Sequence, residues 1–313
     1  MNLTIARTAG DISPDDEILA GGTDLSERLR SGISKSPVVD ISWVPGLDTI
    51  TGTGAGPTTI GALVTIDAVG SSERVQHDYP ALAAPAQTLA TPQIRAMGTM
   101  GGVLCQRTRC WYYRHPHLRC FKNGGDSCPA REGNNHYGVA FDLGPCTYPH
   151  PSSIALALLV YDAKFDTARR RGVPIGDLYG DGSDPTRDHL LDAGEMLTAV
   201  TLPGPTAGEH SAYVRLMGRA WADWPLVECV GRLIIRDGTI EEARVGVGAV
   251  ANIPLRLPEV EARLAGKEPT PEALADAAQH AIDRANPLEQ TRYRLRMITA
   301  TVLESLEKAA GAP

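Results

Sequence analysis

The sequence predicts an α+β fold in two domains, and three observations carry that expectation. The first ninety residues read as short apolar strands alternating with helical stretches, a Pro/Gly-rich break falls at Pro203–Gly208, and a hairpin signal beyond it is followed by helical sequence. At 313 residues the chain is longer than one compact core usually serves, which agrees with two domains. Apolar residues make up 42% and charged residues 21%, so the chain can build cores and extended disorder is excluded. A formal net charge of −7 argues against nucleic acid or an anionic membrane as partner, since both favour basic surfaces.

The elements follow in order. A short apolar strand leads into Leu19-Ala20-Gly21-Gly22-Thr23-Asp24-Leu25 and then a candidate helix. Pro37–Ser42 and Thr58–Leu63 read as strands bounded by Gly or Pro, while Ile66–Gly70 and Ala81–Ala90, with Pro85 inside, are weaker helices. From Gly98 to Pro149 little periodicity remains, and the stretch is too long for an ordinary loop, so it is either functional or disordered. Ser152–Ala163 suits a helix with a serine near its start, and Met196–Leu202 reads as a strand. Arg232–Arg236 and Ala243–Val250 flank Asp237-Gly238, a strong hairpin signal. Pro258–Leu264, Pro271–Ala285 and about Glu289–Ala309 read as helices. Met1–Gly10 holds no apolar core of a signal peptide, and the longest apolar run, Ile154–Tyr161, is far short of the ~20 residues that span a bilayer. The expectation is a cytoplasmic protein, exported only on a partner's signal.

Two glycine turns stand out. Leu19–Leu25 and Met97-Gly98-Thr99-Met100-Gly101-Gly102 each combine paired glycines with a threonine. Without Cβ atoms the backbone can approach a ligand closely, and successive N–H groups can converge on an oxyanion. Two such turns in one domain suit a pyrophosphate, which needs donors on both phosphates. Neither fits the G-x-G-x-x-G or GK[ST] pattern, which disfavours those two readings. The plain alternative is a pair of tight turns needing positive φ, and periodicity does not name a ligand.

Five of the six cysteines, Cys105, Cys110, Cys120, Cys128 and Cys146, fall within 42 consecutive residues. In a reducing compartment metal or redox chemistry explains such clustering better than disulfides. The spacing is neither a zinc ribbon nor a bacterial ferredoxin run. Between the cysteines lie Gly, Lys, Asn and Arg, suited to a loop wrapped around a group whose sulfurs accept backbone N–H bonds. Four thiolates there can hold a [4Fe–4S] cluster or Zn²⁺; buried free cysteines are the alternative. His115, His117, His136 and His150 lie in or beside the segment, and none is assigned as a ligand. Cys229, in the apolar run Leu226–Val230, reads as a small core residue. No G-x-S-x-G elbow or H-E-x-x-H motif is present.

With both turns and the cysteine segment in view, the chain resembles the FAD-binding medium subunit of the molybdenum hydroxylases, the xanthine dehydrogenase and carbon monoxide dehydrogenase family. More narrowly, it resembles the flavin subunit of bacterial aldehyde oxidoreductase, which carries an extra [4Fe–4S] cluster. The resemblance covers nearly the whole chain: LAGGTDL (Leu19–Leu25), VDISWVPGLDTI (Val39–Ile50), IGALVT (Ile60–Thr65), PQIRAMGTMGG (Pro92–Gly102), CQRTRCWYYR (Cys105–Arg114), GGDSC (Gly124–Cys128), GEMLTAVTLP (Gly194–Pro203) and GVGAVANIPLRLPEVEARLAG (Gly246–Gly266). It implies an α+β, two-part FAD-binding domain (PCMH-like) over residues 1–205, with a [4Fe–4S]-binding insertion at about 103–150. Residues 206–313 would form a C-terminal α+β domain with antiparallel sheet and helices.

Position by position, the resemblance implies FAD contacts from Leu19, Ala20, Gly21, Gly22, Thr23, Asp24 and Leu25, and from Thr99, Gly101 and Gly102. Leu197 would pack near the isoalloxazine, and Arg215 stands where relatives often place a lysine near the flavin. Cys110, Cys120, Cys128 and Cys146 would ligate the cluster; Cys105 stands where relatives often have leucine and is left out. Ala96 and Val103 stand where the family often has asparagine, and Ser153 where it has an aspartate near the flavin. The implied function is that of an oxidoreductase subunit without bond chemistry of its own. A large molybdopterin subunit acts on the substrate, and a small subunit with two [2Fe–2S] centres passes electrons to FAD here and on to a final acceptor. The rivals are a zinc-stabilised nucleotide-binding or assembly protein and a stand-alone flavin reductase.

Overall fold

The computed structural model describes residues 2–220 and 222–311. Three sheets, each with its own buried layer, make the chain α+β as expected. β1 (Leu3–Ile5), β2 (Glu17–Leu19) and β3 (Val38–Asp40) form a parallel sheet of order β1-β3-β2. Parallel neighbours need a crossover, and α1 (Leu25–Arg30) supplies it between β2 and β3. The first glycine turn is the junction of β2 and α1. Ala6, Val39, Ile41 and Met196 are buried beneath this sheet.

β4 (Ile50–Thr51), β5 (Thr58–Gly61), β6 (Lys164–Thr167), β7 (Val173–Pro174) and β8 (Leu197–Leu202) form an antiparallel sheet of order β4-β5-β8-β6-β7. The chain between β5 and β6 is helical in short pieces: α2 (Ile66–Ser71), α3 (Glu73–Asp78), α4 (Pro80–Thr88), α5 (Pro92–Met97), α6 (Met100–Leu104), α7 (Trp111–Arg114), α8 (Pro129–Glu132) and α9 (Ser153–Val160). Ser and Thr side chains cap several of them; Thr99 accepts from Gly102 N–H and Ser152 from Ala155 N–H. The α9 sequence SIALALLV is apolar all round and buried nearly all round, which makes it the centre of the largest core.

The C-terminal part is an antiparallel sheet of order β12-β11-β10-β9, built from β9 (Glu209–Met217), β10 (Pro225–Arg236), β11 (Thr239–Gly248) and β12 (Leu255–Arg256). Asp237 (φ 49°) and Gly238 (φ 75°) both take the left-handed region that a two-residue hairpin turn requires. α10 (Pro258–Leu264), α11 (Pro271–Gln279) and α12 (Arg294–Ala309) cover the sheet, with Ile298, Val302 and Leu306 in a common core with Cys229 and Leu233. Cys229 is fully buried in that core, as its apolar context predicted.

Three expectations differ from the structure. β10 starts seven residues before the expected Arg232, and β9 was not foreseen. Buried Glu228 and Arg232 interrupt the apolar pattern: Glu228 accepts from Tyr213 Oη (2.8 Å), and Arg232 pairs with Glu209 (2.7 Å). The helix expected over Pro271–Ala285 ends at Gln279 and passes into a 3₁₀ turn, His280–Ile282. The unpatterned stretch after Gly98 is ordered chain. Ala140 and Phe141 N–H donate to Val250 O (2.7 and 3.0 Å), and Phe141 is buried in the C-terminal core. No helix among the described residues is long and apolar enough to cross a membrane.

Candidate functional site

The two glycine turns lie directly on each other. A Cβ on Gly21 would run into the Met97 carbonyl, and one on Gly98 would stand 3.6 Å from Thr23 Oγ1. Gly22 takes a φ of 71°, which side chains other than glycine adopt at a cost. The second turn is pinned to the chain after β5: Met100 N–H donates to Val64 O and Gly101 N–H to Ala62 O, both at 2.8 Å. A Cβ on Gly101 would meet Ala62 at 3.1 Å. Glycine is therefore required by turn-to-turn contact before any ligand is considered.

Together the turns wall a cleft of about 320 Å³. Ala20, Gly21, Gly22, Thr23, Asp24, Leu25, Thr99, Gly101, Gly102 and Leu197 line it, along with Arg28, Arg107, His189 and the strip Leu191–Met196. Leu19, at the end of β2, and Arg215 do not. The Arg215 guanidinium is held by the carbonyls of Thr88 (3.3 Å) and Asp223. Among the described residues, none accepts from the N–H groups of Gly21, Gly22, Thr23 or Asp24. His189 is half-buried; desolvation of its ring pushes it down to about 4 and keeps it neutral near pH 7, and its buried Nδ1 has no partner among the described residues. Free N–H groups and an orphaned ring nitrogen in one concave wall fit a ligand rich in acceptors and hydroxyls. Three carboxylates of the wall are matched by arginines: Glu17 with Arg28 (2.6 Å), Glu195 with Arg170 (2.6 Å), and Asp24 with three arginines.

Asp24 is the bridge to the cysteine segment. Its carboxylate accepts from Arg114 (2.6 Å), Arg28 (3.1 Å) and the Arg107 N–H (3.2 Å), and lies 3.2 Å from Arg109. Burial works against the ionised form, but Arg109, Arg114 and Arg28 outweigh it and hold the carboxyl below its ordinary range. Arg114 also donates to Thr108 O (2.9 Å) and Arg107 O (3.0 Å), so one guanidinium fixes the entry to the segment.

Cys110, Cys120, Cys128 and Cys146 line one small cavity with Tyr112, Tyr113, Lys122 and Tyr148. Backbone N–H groups just after three of them point at their sulfurs: Tyr112 and Tyr113 at Cys110, Lys122 and Asn123 at Cys120, Tyr148 at Cys146. This is the arrangement that stabilises ligating thiolates. Burial raises the Cys110 thiol to about 12 and the Cys146 thiol to about 11, so both stay protonated near pH 7 in the chain alone. Among the described residues, no set of three or more His, Cys, Asp or Glu is gathered tightly enough for a metal ion. A tetrahedral zinc–thiolate site brings its sulfurs to about 3.8 Å of one another, given Zn–S bonds near ~2.3 Å. A cluster, whose own irons and sulfides fill the centre, holds them farther apart. Cys105 lies on the cleft instead, where burial and then Glu195 push its thiol up to about 12. None of the four nearby histidines lines the cysteine cavity.

A family model described as the FAD binding domain in molybdopterin dehydrogenase matches residues 3–205, and one described as the CO dehydrogenase flavoprotein C-terminal domain matches residues 212–309. The chain belongs to the FAD-binding subunits of the molybdenum hydroxylases. It is 32% identical to the aldehyde oxidoreductase FAD-binding subunit PaoB of Escherichia coli (strain K12), over 95% of this chain and 92% of that one. It is 27% identical to the carbon monoxide dehydrogenase medium chain of Hydrogenophaga pseudoflava, over 97% and 91%. The solved carbon monoxide dehydrogenase of H. pseudoflava that lacks the Mo-pyranopterin moiety shares the fold, with a TM-score of 0.76 over 99% of this chain and 97% of that one, at 24% identity.

For this FAD-binding subunit, the sequence reading missed Arg107, His189 and Leu191–Glu195 in the cleft wall. His189 and the strip follow a turn-rich loop, Gly180–Pro185, that marks a bend but names no ligand, and Arg107 sits inside the cysteine segment. The motif Gly194–Pro203 was the one available signal, since its first residues border the strip.

Proposed function

We propose that this chain is the FAD- and [4Fe–4S]-containing electron-transfer subunit of a heteromeric molybdenum hydroxylase. It would work beside a large molybdopterin-binding subunit and a small [2Fe–2S] subunit, taking electrons from the [2Fe–2S] centres and passing them through FAD to a final acceptor. The observation that carries the reading is the convergence of Cys110, Cys120, Cys128 and Cys146 on one cavity. Its neighbouring segment is bolted to the flavin turn through Asp24.

When bound, FAD supplies two-electron and one-electron chemistry, and a cluster supplies one-electron chemistry. The chain's own residues supply the rest. Gly21 to Asp24, with Thr99, Gly101 and Gly102, would bind the pyrophosphate through backbone N–H groups. Leu197 and the 191–196 strip would exclude water from the cleft. The N–H groups that follow the cysteines would hold thiolates in place and tune them by hydrogen bonding. Residues 1–205 and 206–313 would be the two domains, with the cluster segment at about 103–150.

The test is the visible spectrum and iron content of the full chain from anaerobic, iron-replete expression. Flavin bands near ~450 nm with a broad shoulder near ~400 nm and bound iron support the reading. A colourless, iron-free preparation overturns it, and zinc in place of iron favours the assembly-protein alternative.

A further inference from the structure

We propose that Asp188 is a positioning residue that couples occupancy of the four-cysteine cavity to FAD affinity in the cleft, an inference that rests on the cluster reading above. Two cations from different sites end on its carboxylate. Arg107, in the wall of the flavin cleft, donates from Nε to Asp188 Oδ2 at 2.6 Å. Lys122, in the wall of the cysteine cavity and two residues after Cys120, pairs through Nζ with Asp188 Oδ1 at 3.0 Å and donates to Arg187 O at 2.6 Å. The side chains of Lys122 and Asp188 are only 6% and 8% exposed, and that of Arg107 is 26% exposed, so water screens the lysine arm little and the arginine arm in part. The next residue, His189, lies in the cleft wall.

The chain of restraint runs in one direction through named atoms. Ligation of Cys120 would fix the turn Phe121–Asn123, and with it Lys122. A fixed Lys122 holds Arg187 and Asp188, and Asp188 holds the Arg107 guanidinium in the cleft wall. Arg28, the other cation of that wall, is already committed to Glu17 and Asp24. Arg107 is thus the cleft cation whose placement is set from the cysteine side. A loaded cavity pre-organises the cleft for an anionic cofactor, and an emptied one leaves that ordering to be met on binding.

The experiment is an FAD titration, followed by quenching of flavin fluorescence, on the full chain with and without its cluster, for wild type and Lys122→Met. Iron content and absorbance near ~400 nm are recorded for every sample. The expected result is that wild type binds FAD roughly tenfold more weakly once the cluster is removed, and that Lys122→Met loses most of this dependence while still holding iron. Lys122→Arg restores it. Asp188→Asn should behave as Lys122→Met does; because it leaves the buried Lys122 ammonium and the half-buried Arg107 guanidinium unmatched, the lysine variants carry the test if it fails to fold. Iron bound with an FAD affinity indifferent to it, or an undiminished dependence in Lys122→Met, overturns the coupling alone. A wild-type chain that never takes up iron overturns the cluster reading and the coupling with it.

Discussion

Asp24, in the first glycine turn, accepts a 2.6 Å charged hydrogen bond from Arg114, a residue ninety positions later and four beyond the first cysteine of the cavity. The first glycine turn is thereby tied to the cysteine segment through one carboxylate and the guanidinium groups of Arg109 and Arg114. Both partners are largely withdrawn from water, with side chains 13% and 10% exposed. Removing one leaves the other uncompensated. Asp24→Asn should destabilise the chain by about 3 kcal/mol, measured by urea unfolding at neutral pH. Because the folded Asp24 carboxyl lies below its ordinary value of 3.8, its contribution is present above that value and fades as pH falls through the lower folded one. The variant should therefore lose less stability than wild type over the most acid part of the range, below about pH 4.

Contact between the two turns predicts the effect of a single methyl group. Gly21→Ala places a Cβ against the Met97 carbonyl, so the turns must separate. Flavin retained after gel filtration should fall by tenfold or more, a shift on the order of 1.4 kcal/mol. Gly32→Ala, with a positive φ but open space around its Cβ, is the control: it should cost about 1 kcal/mol of stability and leave flavin content unchanged.

The cysteines divide by location. Cys120→Ser should lower bound iron while flavin remains; iron content unchanged from wild type would show that Cys120 is no ligand. Cys105→Ser should leave iron as it was, because Cys105 lies on the flavin cleft. Cys229→Ala should leave both cofactors in place and lower stability by about 1 kcal/mol through the small hole left in the C-terminal core.

Two histidines, His150 buried and His189 half-buried, set an acid limit. Burial pushes His150 down to about 3 and His189 to about 4, below the 6.5 of the unfolded chain. The unfolded state therefore binds more protons, and stability falls as pH drops from 6.5 toward those folded values. Each histidine contributes a slope approaching 1.4 kcal/mol per pH unit in that window. Chemical unfolding at pH 6, 5 and 4 should show the loss, and His189→Gln should remove about half of the histidine-dependent part.

Legibility in the sequence followed the range of the interaction that decides each feature. The glycine turns were legible because a local backbone requirement puts glycine and threonine at fixed offsets, and the hairpin at Asp237-Gly238 was legible for the same reason. The α9 run was legible because a helix buried on all sides needs apolar residues at every position. β10 was read short because Glu228 and Arg232 are matched by Tyr213 and Glu209 of the neighbouring strand, partners no local window contains. Arg107 and Asp188 were missed likewise: their roles arise from pairing across about 80 residues of sequence. The resemblance proposed the four cysteines, and the fold brings them to one cavity; it does not bring Arg215 to the cleft.

The cysteine segment's anchors also set a timetable. Val139 O accepts from Thr291 Oγ1, Ala140 O accepts from Asn286 N–H, Asn135 N–H donates to Gln290, and His136 O accepts from Tyr293 Oη. None of these partners exists until synthesis has passed residue 285. The N-terminal sheets can be complete long before then. The glycine-turn cleft can therefore form on the growing polypeptide, whereas the stretch from Asn135 to Ala140 is pinned late, and a truncation after residue 285 should expose that stretch to protease cutting while the first two sheets stay intact.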